Sequence, residues 1–177
     1  MKKITALLAC ASIIYSSAYS QWELGGEYQH GFGKNYNSNS IGGIYEGFSK
    51  TGKSSWQIGL NYTFSTSGTG KEAFKGSGIG LSLGYRYGFS YGTSGNLFAG
   101  ARASFTFSKD DKGTGFSVFT PSVESGYHYT FNNFGRGGFA TPSLSIGYDI
   151  KINGEKESAA VDEGAVFSPR LAIGYRF

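Results

Sequence analysis

The 177 residues carry a formal net charge of +4, 29 Gly, only three Pro and one Cys, with 17% aromatic and 16% charged residues. That composition fits many short strands rather than helices. A single cysteine excludes a disulfide framework and a thiolate metal site, and the modest charge gives no support to nucleic-acid binding.

The N-terminus reads as a secretory leader. Lys2 and Lys3 form a basic start, Ile4 to Ile14 is mostly apolar, and Ala18-Tyr19-Ser20 offers a small-x-small cleavage site before Gln21. The apolar run is too short to span a bilayer as a helix. Cleavage would remove the lone Cys10 and two of the 16 basic residues but none of the 12 acidic ones, leaving a net charge of +2. The expected division is a signal peptide over 1–20 and one domain over 21–177. The latter contains no apolar stretch near the ~20 residues of a transmembrane helix.

Alternation with a period of two recurs through that domain. Segment one, Trp22 to Phe32, sets Trp22, Leu24, Tyr28 and Phe32 against Glu23, Glu27 and Gln29. Segment two, about 41–49, is ambiguous, because Ile41, Gly43 and Tyr45 alternate with Gly42, Ile44 and Glu46. Segment three sets Trp56, Ile58, Leu60, Tyr62 and Phe64 against Gln57, Gly59, Asn61, Thr63 and Ser65. Segment four sets Ile79, Leu81, Leu83, Tyr85 and Tyr87 against Ser82, Arg86 and glycines. Segment five sets Leu97, three alanines, Phe105 and Phe107 against Arg102, Ser104 and Thr106. Segment six sets Phe119, Val123, Tyr127 and Tyr129 against Thr120, Ser122, Glu124 and His128. Segment seven sets Leu144, Ile146, Tyr148 and Ile150 against Ser143, Ser145 and Asp149. The last runs Leu171, Ile173, Tyr175, Phe177 against Arg170, Ala172, Gly174 and Arg176.

Eight segments allow an antiparallel sheet to close with both ends on one side. Along the apolar rows, aromatics gather at the two heights where strands begin and end, with aliphatic residues between. Two aromatic belts around an aliphatic band match the interfaces and hydrocarbon centre of a bilayer. The expected fold is therefore all-β, an eight-stranded antiparallel transmembrane β-barrel. Its lumen would be polar and just wide enough to be filled by side chains. Glu23, Glu27, Glu124 and Asp149 oppose Arg86, Arg102, Arg170 and Arg176 in sign, and buried charges need partners. These eight are expected to form an internal charge network, with the pairings open.

The longest connection, 153–164, carries Glu155, Glu157, Asp162 and Glu163 around Lys156. Clustered carboxylates can hold Ca²⁺, but a charged loop beside charged headgroups is the simpler reading. With two histidines on different faces, His30 outward and His128 inward, neither a metal site nor a Ser/His/acid hydrolase is expected. No cofactor is expected.

The leader, the eight segments and the terminal Leu171-x-Ile173-x-Tyr175-x-Phe177 resemble the small eight-stranded outer-membrane barrels of the OmpA/OmpX kind. So do the Gly-Tyr pairs at 84–85, 126–127, 147–148 and 174–175. The resemblance implies an outer-membrane location, a monomer surrounded by outer-membrane lipid, and an assembly signal at Leu171, Ile173, Tyr175 and Phe177 read by the barrel-assembly machinery. The sequence as a whole leaves three functions open, the first of them favoured: a structural or surface-interaction role in the envelope, a narrow channel for ions or small solutes, or a secreted soluble ligand-binding barrel.

Overall fold

In the computed structural model the described residues are 19–67, 74–91, 94–110, 113–132, 135–153 and 162–177. Eight strands follow in chain order: β1 (Tyr19–Phe32), β2 (Tyr36–Ser49), β3 (Ser54–Ser67) and β4 (Phe74–Tyr91), then β5 (Gly95–Asp110), β6 (Gly115–Thr130), β7 (Gly137–Asn153) and β8 (Gly164–Arg176). Each pairs antiparallel with the next, and β1 pairs with β8 to close the barrel. The leader expected over 1–20 lies outside the described residues except for Tyr19 and Ser20, which begin β1. The acidic cluster at 155–157 also lies outside them.

Alternation settles which residues face inward. Ile173 is 57% exposed on the outer wall, while its neighbour Ala172 is 1% exposed inside against Ile44 and Phe139. The outer wall is apolar on every strand. At the end where β1 begins and β8 finishes, called lower here, Phe177 stacks on Trp22 at 4.1 Å and Trp56 meets Tyr85 edge-on at 5.1 Å. At the upper end Phe105 stacks on Phe119 at 4.6 Å and Tyr62 meets Phe64 at 4.7 Å. A barrel soluble in water keeps its large apolar side chains inside; this one does the reverse.

The ambiguous second segment resolves through its register. Glu23 lies opposite Glu46 and Leu24 opposite Tyr45, so Ile44, Glu46 and Phe48 face the lumen while Ile41 faces out. The strand also begins earlier than expected, at Tyr36. Its first residues carry Asn37 and Asn39 on the outer wall, in register with Phe32 and Phe64 of the neighbouring strands. Their polar side chains break there the apolar alternation that marks a strand elsewhere.

The seam depends on a close approach. Gly25 lies opposite Gly174 across β1 and β8. A Cβ on Gly174 would stand 2.2 Å from the Leu24 carbonyl oxygen and 2.7 Å from the Phe139 ring. The phenyl group thus fills the space that the paired glycines leave. Gly52, in the lower turn after β2, has φ +69, a left-handed conformation open to glycine.

Candidate functional site

Each charged side chain of the lumen is aimed inward by the period-two pleat, and the closed sheet brings together residues that are far apart in sequence. Arg102 of β5 donates from Nη1 and Nη2 to Glu27 of β1 at 2.7 and 3.0 Å. Arg170 of β8 stands with Nη1 3.3 Å from Glu27 Oε2, the oxygen that also accepts from Arg102 Nη2, and donates to Glu124 of β6. Arg86 of β4 donates from Nε to Glu124 at 2.6 Å and from Nη1 to Glu46 of β2 at 3.0 Å. Gln57 of β3 then joins the ends, donating to Glu46 at 2.6 Å and accepting from Arg102 at 3.1 Å.

The result is a closed ring of seven side chains, with three carboxylates balancing three guanidiniums. Ser143 of β7 accepts from Arg170 Nε at 3.1 Å, so every strand supplies a group. Ser55 adds a hydroxyl donor to Glu46. Such a network is stable in a low-dielectric lumen only because each charge meets an opposite one and is further hydrogen-bonded.

A second cluster lies toward the lower end. Arg176 donates to Glu23 at 2.7 Å, and His128 Nε2 stands 3.1 Å from the same carboxylate while Nδ1 meets the Thr141 hydroxyl at 2.8 Å. Phe48 lies under the Arg176 guanidinium at 4.5 Å, and Phe98 under that of Arg86 at 4.3 Å. These rings and the ion pairs together fill the lower lumen.

Above the ring the lumen opens into a cavity of about 80 Å³, walled by Ser, Thr and Asn side chains with Arg102 on its border. Tyr36, Phe116 and Val118 cluster on its apolar flank. Asp149 belongs to this cavity and departs from expectation. Its carboxylate accepts from the Thr120 hydroxyl, and no arginine reaches it. The reason is height: Asp149 pairs in register with Gly164, near the upper start of β8, whereas Arg170 lies opposite Ser143, lower on β7.

Glu23, Glu27, Arg86, Arg102, Glu124, Arg170 and Arg176 all stand in the two charge clusters. Sequence reasoning missed Glu46 and Gln57. A signal existed for Glu46, since a carboxylate on a strand of ambiguous facing costs less in a polar lumen than in hydrocarbon. Gln57 carried no such signal, because its role depends on which strands face each other across the barrel.

The histidines stand apart. His30 is on the outer wall near the top, 2.8 Å from Asn39 Oδ1, while His128 is inside near the bottom. Asn35 and Lys151 tie down the described part of the last loop through Asp162 and Glu163, at 2.6 and 3.0 Å. Among the described residues no group of three or more His, Cys, Asp or Glu side chains could hold a metal ion.

Comparison by sequence finds no matching family model and no matching curated protein. Comparison by structure does find similar proteins. The N-terminal β-barrel domain of Pseudomonas aeruginosa OprF aligns over 90% of this chain and 99% of its own, with TM-score 0.55 and 14% identity. Neisserial surface protein A aligns over 88% of this chain and 94% of its own, with TM-score 0.53 and 15% identity. Ail, the attachment invasion locus protein of Yersinia pestis, solved with the heparin analogue sucrose octasulfate, aligns over 90% and 99%, with TM-score 0.52 and 15% identity. At such identities the likeness is one of architecture. The chain has the closed, eight-stranded, all-antiparallel fold of the small outer-membrane barrels of the OmpA/OmpX kind.

Proposed function

We propose that this chain is an integral outer-membrane protein, made with a leader over 1–20, whose sealed barrel serves a structural or surface-interaction role in the cell envelope. The observation that carries the reading is the closed ring from Glu27 through Arg102, Gln57, Glu46, Arg86, Glu124 and Arg170, which spans the lumen inside an apolar outer wall. A sealed lumen favours this role over the channel, and the apolar wall favours it over a secreted soluble barrel. The placement of His30 and His128 on opposite faces and at opposite ends supports a non-catalytic protein. Two of the similar structures are themselves named as surface or attachment proteins, which supports the surface side of the proposal.

In this reading lipid is the main neighbour, the protein is a monomer, and Leu171, Ile173, Tyr175 and Phe177 present the row recognised during assembly. Two measurements test it. The outer-membrane fraction, run unboiled and boiled on a denaturing gel, should show a mobility shift, and a soluble protein without one would overturn the membrane assignment. Purified barrel in a planar bilayer should give no steady conductance. Persistent single-channel steps would overturn the sealed lumen and establish the conduit instead.

A further inference from the structure

We propose that the outer wall of β1 and β2 holds one class of lipid, an acyl lipid that carries a hydroxyl or amide N–H beside a carbonyl where its chain meets the headgroup. The inference rests on the outer-membrane reading above. Its basis is a polar cluster on a wall that faces lipid. Asn39 Oδ1 accepts from the Tyr28 hydroxyl at 2.6 Å and meets His30 Nδ1 at 2.8 Å. All three side chains lie on the outward rows of their strands. Phe64 shares the register row of Asn39, and the Phe32 ring stands edge-on to His30 at 4.3 Å. Aromatic rings mark the headgroup boundary, which is where a lipid's acyl linkages lie.

A carboxamide oxygen only accepts, so His30 donates from Nδ1, and the neutral ring leaves Nε2 as an acceptor. Asn39 Nδ2 remains as a donor. Among the described residues neither atom has a partner. Ser125, elsewhere on the outer wall, shows the ordinary solution: its hydroxyl closes on the Phe98 carbonyl at 3.1 Å. His30 and Asn39 find no such partner in the sheet, and hydrocarbon supplies none. A donor and an acceptor on neighbouring strands are complementary to a lipid that offers both. A simple diester lipid has carbonyls but no donor at this level, so it satisfies Asn39 and leaves His30 Nε2 bare.

The wall below has room for the chain. Gly26 and Gly43 lie opposite each other on the outward rows, with Ile173 and Leu60 on either side in register. A Cβ on either glycine would meet only a backbone oxygen, at 3.8 or 3.9 Å. Two missing side chains between two exposed apolar ones make an open notch. An acyl chain anchored at His30 and Asn39 runs past Tyr28 and Ile41 into it.

The test compares sphingomyelin with chain-matched phosphatidylcholine. The two share a phosphocholine headgroup and differ in the amide N–H and hydroxyl at the chain junction. The full barrel is refolded in micelles containing equal amounts of both, and native mass spectrometry counts the lipid retained. The wild type is expected to favour sphingomyelin by about fivefold, the factor that one net hydrogen bond supplies. His30→Leu and Asn39→Leu, each apolar on a lipid-facing wall, should abolish the preference. Equal retention by the wild type overturns the proposal, as does a preference that survives in either variant. The shift between unboiled and boiled mobility confirms that each variant is folded; where one is not, the wild type and the other variant decide. A soluble protein without that shift fails the membrane reading itself, a result distinct from a folded barrel that shows no preference.

Discussion

Glu124 is the residue on which the ring hinges. Its side chain is fully buried, and its two oxygens hold two different arginines, Arg86 at 2.6 Å and Arg170. Glu124→Gln keeps the shape but removes the charge, leaving the ring with three guanidiniums and two carboxylates. Each arginine keeps one other anionic neighbour, Glu46 for Arg86 and Glu27 for Arg170, so neither becomes isolated. The loss is therefore two charge-assisted hydrogen bonds rather than two naked charges. At about 1.5–3 kcal/mol for each hydrogen bond to a charged group, partly recovered by the amide, the cost should be about 3 kcal/mol. That approaches the 3–5 kcal/mol typical of breaking a buried pair. Urea unfolding of the barrel in lipid vesicles, followed by the fluorescence of Trp22 and Trp56, measures it. Adding Arg170→Gln should recover part of the loss, since the excess positive charge goes with it, and the coupling should exceed ~1 kcal/mol. A Glu124→Gln barrel within 0.5 kcal/mol of the wild type, at an estimate of about 3, would refute the claim that the ring holds the lumen together.

Three further outcomes follow from the same geometry. Ile146 faces outward in the middle of β7, so Ile146→Lys should cost about 2–4 kcal/mol in vesicle unfolding by placing charge in hydrocarbon; Ser145→Ala, one residue away inside, should stay within ~0.5 kcal/mol. Gly174→Val should prevent β1 from pairing with β8, because the Leu24 carbonyl already stands 2.2 Å from the position of a Cβ; unboiled samples should then lack the fast-migrating folded band. Deleting Phe177 removes its stack on Trp22 and the bond from its N–H to the Trp22 carbonyl at 3.0 Å, so the amount of folded protein in the outer-membrane fraction should fall severalfold, whereas Phe89→Ala on the same outer wall should leave it near the wild-type level.

The sequence by itself determined the strand count, the barrel class and the facing of seven strands. Period-two alternation is a local property, and two aromatic belts are visible along each row without knowing which strands touch. It also named eight of the charged lumen residues, Asp149 among them, because a charge on an inward row has nowhere else to be. Tertiary structure alone decided the pairings. Arg102 finds Glu27 and Arg86 finds Glu46 from non-adjacent strands, across a lumen whose geometry comes from tilt and stagger, and no spacing along the chain encodes that distance. The same closure fixed β2, whose Gly, Ile and Tyr residues suit either face until Glu46 is drawn inward. It also separated Asp149 from the arginines, since height along the barrel axis depends on register with β8 as well as on position within β7. Facing is set by the pleat of one strand, but contact across the lumen is set by the closure of all eight.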